Sequence, residues 1–331
     1  MNNIAEVLQG AQKAAMNNIA EVLQGVQKAA IGGHIHPDGD CMGSCLGLYL
    51  YMRRNFPEIR TDLYLEEPNP VYSFLEGFDR IRTTAEVPEK YDLFITCDVS
   101  SRDRLGVAGE HFDNASKTVC IDHHISNQGF ADVNHIRGGL SSACEVLYGI
   151  LTPEGIDRGI AEALYTGIAH DTGVFHYDST TPETMRIAGS LMEHGFDFGR
   201  ILDLTYYQKT YLQNQVLGRV LAESILLGDG KYIIGCMKKK DMDFYGVTPM
   251  DMDGIVEQLN LTKGTCGAVF LYELEPQVFK DSLRSSGSLN VSEVAVFFGG
   301  GGHVKAAGFT MSGSFYDIVN NIMEQIGKQN V

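Results

Sequence analysis

Basic residues are scarce in this sequence: 26 Lys and Arg stand against 42 Asp and Glu, a formal charge of −16 over 331 residues. Non-specific adhesion to duplex DNA rests on neutralising many phosphates with Lys and Arg, so that partner is excluded. Small anionic substrates are not, because divalent cations held by carboxylates reverse the local potential. The run Lys238-Lys239-Lys240 reads as a solvated face. Long apolar runs are also missing. None approaches the roughly 18 residues that suggest a membrane span, and the first residues lack the basic, apolar and small-residue order of a signal peptide. The expectation is a cytoplasmic protein with no membrane partner. There is no CxxC pair among the 7 cysteines, which sit at 41, 45, 97, 120, 144, 236 and 266, several inside apolar runs. Small buried thiols, not a disulfide framework, are expected. Pro/Ser-rich stretches are absent, and with 44% hydrophobic and 21% charged residues the chain can build an ordinary globular core.

Residues 1–30 contain an almost exact duplication, MNNIAEVLQGAQKAA followed by MNNIAEVLQGVQKAA, which differ only at Ala11 and Val26. Ile19, Val22, Leu23 and Val26 follow helical spacing, so the second copy reads as an amphipathic helix leading into a strand. A shift of fifteen residues at about 100° per residue rotates the first copy's stripe by about 60°, and one straight helix cannot bury both. Residues 1–15 are therefore read as a duplication artefact outside the fold, the alternative being a helical extension used in self-association.

From Ile31 onward, short apolar runs alternate with amphipathic stretches. Strands are expected at 62–65, 93–95 and 119–121, and helices across 44–52, 142–151 and 156–168. This is an α/β pattern with a mostly parallel sheet and flanking helices over 16–190. Residues 191–215 read as a helical linker, and 216–331 as a smaller α+β domain with strands near 232–234 and 268–271 and a closing helix over 315–326.

The chemistry sits just after the apolar runs, where open α/β sheets place their sites. Gly33-His34-Ile35-His36-Pro37-Asp38-Gly39-Asp40 follows Ile31, Asp98 follows Leu93-Phe94-Ile95, Asp122-His123-His124 follows Val119-Cys120-Ile121, and Asp171 follows Ile168. In an irregular turn shaped by Pro37 and Gly39, His34 and Asp38 can converge on one cation while Asp40 faces a second. Alone, that string is equally an Asp-rich turn capping a helix from about Met42, and Asp98 alone reads as a cap for 100–104. Adjacent histidines with an acid able to orient one of them are harder to explain structurally. Four such clusters together read as a two-metal site. Oxygen donors with one or two imidazoles suit Mn²⁺ or Mg²⁺, the histidines favour Mn²⁺ or Co²⁺, and zinc stays open. Two cations about 3.5 to 4 Å apart activate a bridging hydroxide and clamp a phosphoryl group. The reaction class is phosphoester or phosphoanhydride hydrolysis.

With these motifs and the downstream Gly299-Gly300-Gly301-Gly302-His303, the chain resembles the DHH phosphoesterase superfamily, and within it the oligoribonuclease and pAp-phosphatase (nanoRNase) group. The resemblance runs from about residue 16 to the C-terminus and includes Asp103-Arg104-Leu105-Gly106, Ser141-Ser142, Asp171-Thr172-Gly173 and Ser282-Leu283-Arg284-Ser285. It implies a first metal on His34, Asp38 and Asp98 and a second on Asp40, Asp98, His123 and Asp171, with His124 at the scissile phosphate. It also implies a DHH-associated second domain that faces the metals across a cleft. Arg284 would bind phosphate through its planar fork, and the glycines would bring backbone N–H groups close to it, with His303 as a further donor. The expected catalytic residues are His124, Asp122 and Arg284, and the expected substrate contacts are Arg104, Arg284, Ser285, Gly300, Gly301, Gly302 and His303. Two positions depart from the group's pattern: His36, where Asn is frequent, and Cys41, where Ala is common.

By that resemblance the activity is hydrolysis of short single-stranded RNA to mononucleotides together with removal of the 3′-phosphate of pAp. Two lobes suit a short strand end or a small nucleotide, and a homodimer is compatible with the sequence. A cyclic or linear dinucleotide phosphodiesterase of di-AMP type is the alternative on the same scaffold. A non-catalytic nucleotide-binding protein is more remote, because no ligand-type residue of the pattern is missing.

Overall fold

The computed structural model describes residues 18–84 and 89–329. The first copy of the repeat lies outside these residues. The chain divides into two compact units, the first running to Gln208 and the second beginning at Lys209.

The first unit opens with a single helical turn, α1 (Ala20–Leu23), which buries Ile19, Val22 and Leu23. Among the described residues of the second copy, 18–30, the longer amphipathic helix expected there does not form. Gly25, at φ 77°, turns the chain, and the following residues enter β1 (Lys28–Gly32). Next come α2 (Gly39–Asn55), β2 (Arg60–Tyr64), β3 (Ile81–Arg82), β4 (Leu93–Cys97), α3 (Gly109–Asp113), β5 (Thr118–Asp122) and β6 (Val133–Ile136). They are followed by α4 (Ala143–Tyr148), α5 (Arg158–Asp171), α6 (Pro182–Met192) and α7 (Phe198–Leu202). The strands form a six-stranded sheet in the order β3-β2-β1-β4-β5-β6, with every adjacent pair parallel. The expected α/β class with a parallel sheet is what the first unit adopts. In this order the chain reverses direction across the sheet between β1 and β4, so the crevice beyond their carboxyl ends is where such a sheet opens a site.

Helix α2 is buried from Gly39 to Met52, which accounts for its lack of a polar face. It packs on α5 at close range: a Cβ on Gly43 would lie 2.4 Å from the Ala163 carbonyl oxygen, so only glycine permits that approach. The core of the unit gathers α2 and α5 with Ile31, Leu63, Ile95 and Ile121 from the sheet.

The stretch read as one linking helix is broken. Gln208 is extended, and Thr210 starts a new helix through a capping box in which its hydroxyl accepts from Gln213 N at 3.1 Å and Gln213 Oε1 accepts from Thr210 N at 2.9 Å. That helix, α8 (Tyr211–Glu223), opens the second unit and is followed by β7 (Ile225–Leu227), β8 (Tyr232–Met237), α9 (Lys239–Tyr245), α10 (Ile255–Asn260), β9 (Gly267–Glu275) and β10 (Val278–Ser285). The chain ends with α11 (Val291–Phe297), β11 (Gly301–Gly302), β12 (Ala306–Ser312) and α12 (Phe315–Gly327). The second sheet is ordered β11-β12-β10-β9-β8-β7, and only β8 and β9 pair in parallel. Among the described residues no helix is long and apolar enough to cross a membrane.

One polar residue interrupts the second core. Asp281 on β10 is fully buried between Phe279 and Leu283, opposite Leu271 and Phe309, and neither carboxylate oxygen has a hydrogen-bond partner. Burial pushes its pKa up to about 8. The unfolded carboxyl ionises near pH 4 while the folded one stays protonated, so stability is full below that pH and is lost as pH rises towards 8, by up to about 1.4 kcal/mol per pH unit. Denaturant titrations across that range should show this slope in the wild type and a flattened one in Asp281→Asn. An unchanged slope would reassign it.

Candidate metal centre

The carboxyl ends of β1, β4 and β5 each deliver one part of the site. After β1 the chain enters the turn to α2, where Asp38 is the N-cap, its Oδ1 accepting from Asp40 N at 3.0 Å and Cys41 N at 3.1 Å. Asp38 is therefore both the cap and a neighbour of His34, whose Nε2 lies 3.7 Å from its Oδ1. His34 Nδ1 is 2.7 Å from the Ile35 carbonyl oxygen, which fixes a donor proton on Nδ1 and turns Nε2 towards Asp38 and Asp98. Asp98 follows β4 in a left-handed conformation, φ 58°, rarely adopted by a residue other than glycine. Its Oδ2 is 3.3 Å from His34 Nε2 and its Oδ1 is 3.5 Å from His123 Nε2. Asp98 thus stands between the two histidines and does not serve as a helix cap.

On the other side, His123 Nε2 lies 3.1 Å from Asp171 Oδ2 and 3.8 Å from Asp40 Oδ2. Asp40 is fully buried and receives Ala143 N at 2.6 Å and Cys144 N at 3.0 Å. These are the first amides of α4, and Ser142 caps that helix by accepting from Glu145 N at 3.0 Å. The Ser141-Ser142 pair thus acts through α4, which positions Asp40. Asp171 is the last residue of α5, where the helix dipole disfavours an anion, so a cation there relieves two repulsions at once.

Asp122 plays another part. Its Oδ1 accepts from His124 Nδ1 at 2.8 Å and its Oδ2 from Asn127 Nδ2 at 2.7 Å, so the carboxylate orients His124. Asp122 is held below the ordinary carboxylate range: burial opposes this, and the bonds from His124 and Asn127 overcome it. His124 is raised for the reciprocal reason. Asn127 went unrecognised in the sequence. The signal was a short-chain amide five positions beyond Asp122, which has no meaning until the loop folds back. His170 was also passed over, although it adjoins Asp171; it can join Asp38 and Asp171 around one point. The spare imidazole of His36 is turned away from the cluster, its Nδ1 3.0 Å from Glu66 Oε2.

The electrostatics ask for positive charge. Asp40 is raised well above the usual carboxylate range by burial and by Asp98 and Asp171. Burial opposes charging of both rings, yet Cys41 with Asp38 and Asp98 pushes His34 up to about 12, and Asp171, Asp98 and Asp40 push His123 up to about 12. Asp98 Oδ1 is buried with no hydrogen-bond partner. Oxygen and imidazole donors converging on an orphaned carboxylate fit divalent cations. Donor atoms of Asp40, His123 and Asp171 lie within 4.8 Å of one another, and Asp98 forms similar groups with His34 on one side and with His123 and His124 on the other.

Arg104, on the turn over Arg102–Ala108, is exposed beside His34, with its Nη2 3.5 Å from Nδ1. The remaining expected contacts lie in the second unit. Arg284 is held by Glu257, with Nε and Nη2 at 2.9 and 2.6 Å from Oε1, so its fork arrives already engaged. Ser285 points to the opposite face of β10, where its hydroxyl donates to the Gly287 carbonyl at 3.3 Å; one strand face does not present both side chains. The glycine-rich run is a hairpin edge and not an open loop. Gly301 and Gly302 form β11, and His303 N bonds the Ala306 carbonyl at 2.7 Å to close the turn. Gly300 approaches β12 so closely that a Cβ would lie 2.2 Å from the Gly308 carbonyl oxygen.

Residues 28–168, which carry all of these first-unit groups except His170 and Asp171, match the DHH family, N-terminal domain. The first unit thus carries a DHH-family N-terminal domain. The whole chain is 28% identical over 283 residues to the bifunctional oligoribonuclease and PAP phosphatase NrnA of Bacillus subtilis, covering 83% of this chain and 86% of that one. It is 29% identical over 287 residues to the protein of the same name from Thermus thermophilus, covering 86% and 84%. Its fold is similar to that of an exopolyphosphatase-related protein from Bacteroides fragilis, with a TM-score of 0.86, 23% identity and coverage of 98% and 96%.

Two outcomes follow from this geometry. In chelator, Asp98→Asn should melt higher than the wild type, because one of the facing charges is gone. Mn²⁺ should raise the wild-type melting temperature, with about 2.7 kcal/mol gained at a hundredfold excess over Kd, and should do less for the variant. Loss of the Asp122 support should act differently: Asp122→Asn and Asn127→Ala are expected to lower turnover about 10- to 100-fold while two cations still bind, as measured by equilibrium dialysis. Loss of cation stoichiometry in Asp122→Asn would place Asp122 among the ligands.

Proposed function

We propose that this chain is a Mn²⁺-dependent phosphoesterase that hydrolyses short oligoribonucleotides to mononucleotides and removes the 3′-phosphate of pAp to give AMP. The observation that carries this reading is the match to relatives named for both activities, which spans 84–86% of their length and so takes in both units. His34, Asp38 and Asp98 would hold one cation, and Asp40, Asp98, His123 and Asp171 the other. When bound, the pair supplies Lewis-acid polarisation of a phosphoryl oxygen and a water of lowered pKa. The residues do the rest. Asp122, anchored by Asn127, orients His124 as a donor for a phosphate oxygen, and its carboxylate favours the charged form of that ring against the cost of burial. Arg104 supplies a second cationic donor at the rim, next to His34. Arg284, Ser285, Gly300, Gly301, Gly302 and His303 are the proposed substrate contacts of the second unit, with Ser285 acting through the Arg284 strand because its own side chain is buried on the other face.

The test compares turnover of pAp, linear RNA of two to five nucleotides, cyclic di-AMP and pyrophosphate with Mn²⁺ present, beside an Asp122→Ala, His123→Ala double variant. AMP from pAp and mononucleotides from short RNA, both lost in the variant, are expected. Preference for the cyclic dinucleotide would move the assignment to a dinucleotide phosphodiesterase, and turnover of none of them with metal bound would overturn the enzymatic reading.

A further inference from the structure

Cys41 enters α2 one residue after Asp40, and its side chain is fully buried. Its sulfur, a ring nitrogen of His34 and a carboxylate oxygen of Asp98 lie within 4.8 Å of one another. The turn after β1 is shaped around this sulfur, since a Cβ on Gly33 would lie 2.2 Å from it. The cap of the helix holds it in place as well, because Cys41 N donates to Asp38 Oδ1 at 3.1 Å. The Asp98 carboxylate beside it is 2% exposed and turns Oδ2 to this side, 3.3 Å from His34 Nε2, while its Oδ1, which has no hydrogen-bond partner, faces His123 at the second position. Cys45, Cys97, Cys120 and Cys144 are buried too, but among the described residues none of them joins such a group.

We propose that Cys41 is a protein ligand of the first cation, making that position selective for thiophilic divalent ions such as Co²⁺ or Zn²⁺, while the second position, with three carboxylates and one imidazole, keeps its preference for Mn²⁺. The inference rests on the metal-centre reading above. Thiolate with imidazole and carboxylate is a softer donor set than oxygen alone and suits zinc and cobalt. The step is ligand exchange without redox change: the S–H bond breaks, one proton leaves to buffer, and the sulfur electron pair forms the bond to the ion. The natural loaded form would then carry two different metals.

The experiment is a titration of the full chain with Co²⁺ followed by absorption. The visible ligand-field bands report cobalt bound anywhere, and the near-ultraviolet sulfur-to-cobalt charge-transfer band reports a thiolate ligand. The band is expected to saturate with the first equivalent in the wild type and in Cys45→Ala. It should be missing in Cys41→Ala and in Cys41→Ser, with ligand-field bands retained in both, and the Zn²⁺-over-Mn²⁺ preference of that position should fall about tenfold or more in the Cys41 variants. Cobalt bound without a charge-transfer band, or a band that survives in the Cys41 variants, would overturn Cys41 as a ligand and leave the metal centre standing. Failure of the wild type to bind cobalt or manganese at all would overturn the metal centre itself.

Discussion

Mutual repulsion among buried carboxylates is the constraint on which the first unit is organised. Asp40, Asp98 and Asp171 surround one histidine, and none of the three sits where an acid would be placed for stability alone. Asp98 occupies a left-handed backbone conformation and leaves an oxygen without a partner, and Asp171 stands at the wrong end of a helix for its charge. The fold supplies partial relief through backbone amides, the start of α4 on Asp40 and the start of α2 on Asp38. The charged rings of His34 and His123 supply more, and divalent cations fit what is left. A protein arranged this way gives up stability when empty in return for affinity when loaded.

The strand order explains how residues up to 137 positions apart reach one place, since His34 and Asp171 bracket the set. The sheet reverses its direction of growth between β1 and β4, and the loops leaving those two strands diverge to opposite sides. His34 and Asp98 stand at that divergence, and the Asp122-His123-His124 run stands one strand further on.

Much of this was legible because each cluster abuts an apolar run of the right length, and the runs at 93–95 and 119–121 are indeed strands ending where the chemistry begins. What remained hidden depends on long-range folding. Asn127 reaches Asp122 only because the loop after His124 turns back, and Ser141-Ser142 acts through the helix that it starts. Ser285 looked like a partner of Arg284 because they are adjacent, but adjacency in a strand means opposite faces. The glycines at 300–302 carried the signature of an anion cradle. Their close approach to β12 gives them a packing role that composition does not reveal. The helix expected from Ile19, Val22, Leu23 and Val26 stops short of Gly25, where one positive φ outweighed a favourable apolar spacing.

The contact at Gly43 has a reach beyond its own packing. Asp40 lies in the first turn of helix α2 and helix α5 ends with Asp171, and these two helices are clamped where glycine lets one backbone touch the other. The separation of two carboxylates in the centre is thereby gauged by a rigid helix pair, much as the jaws of a caliper are set by its beam.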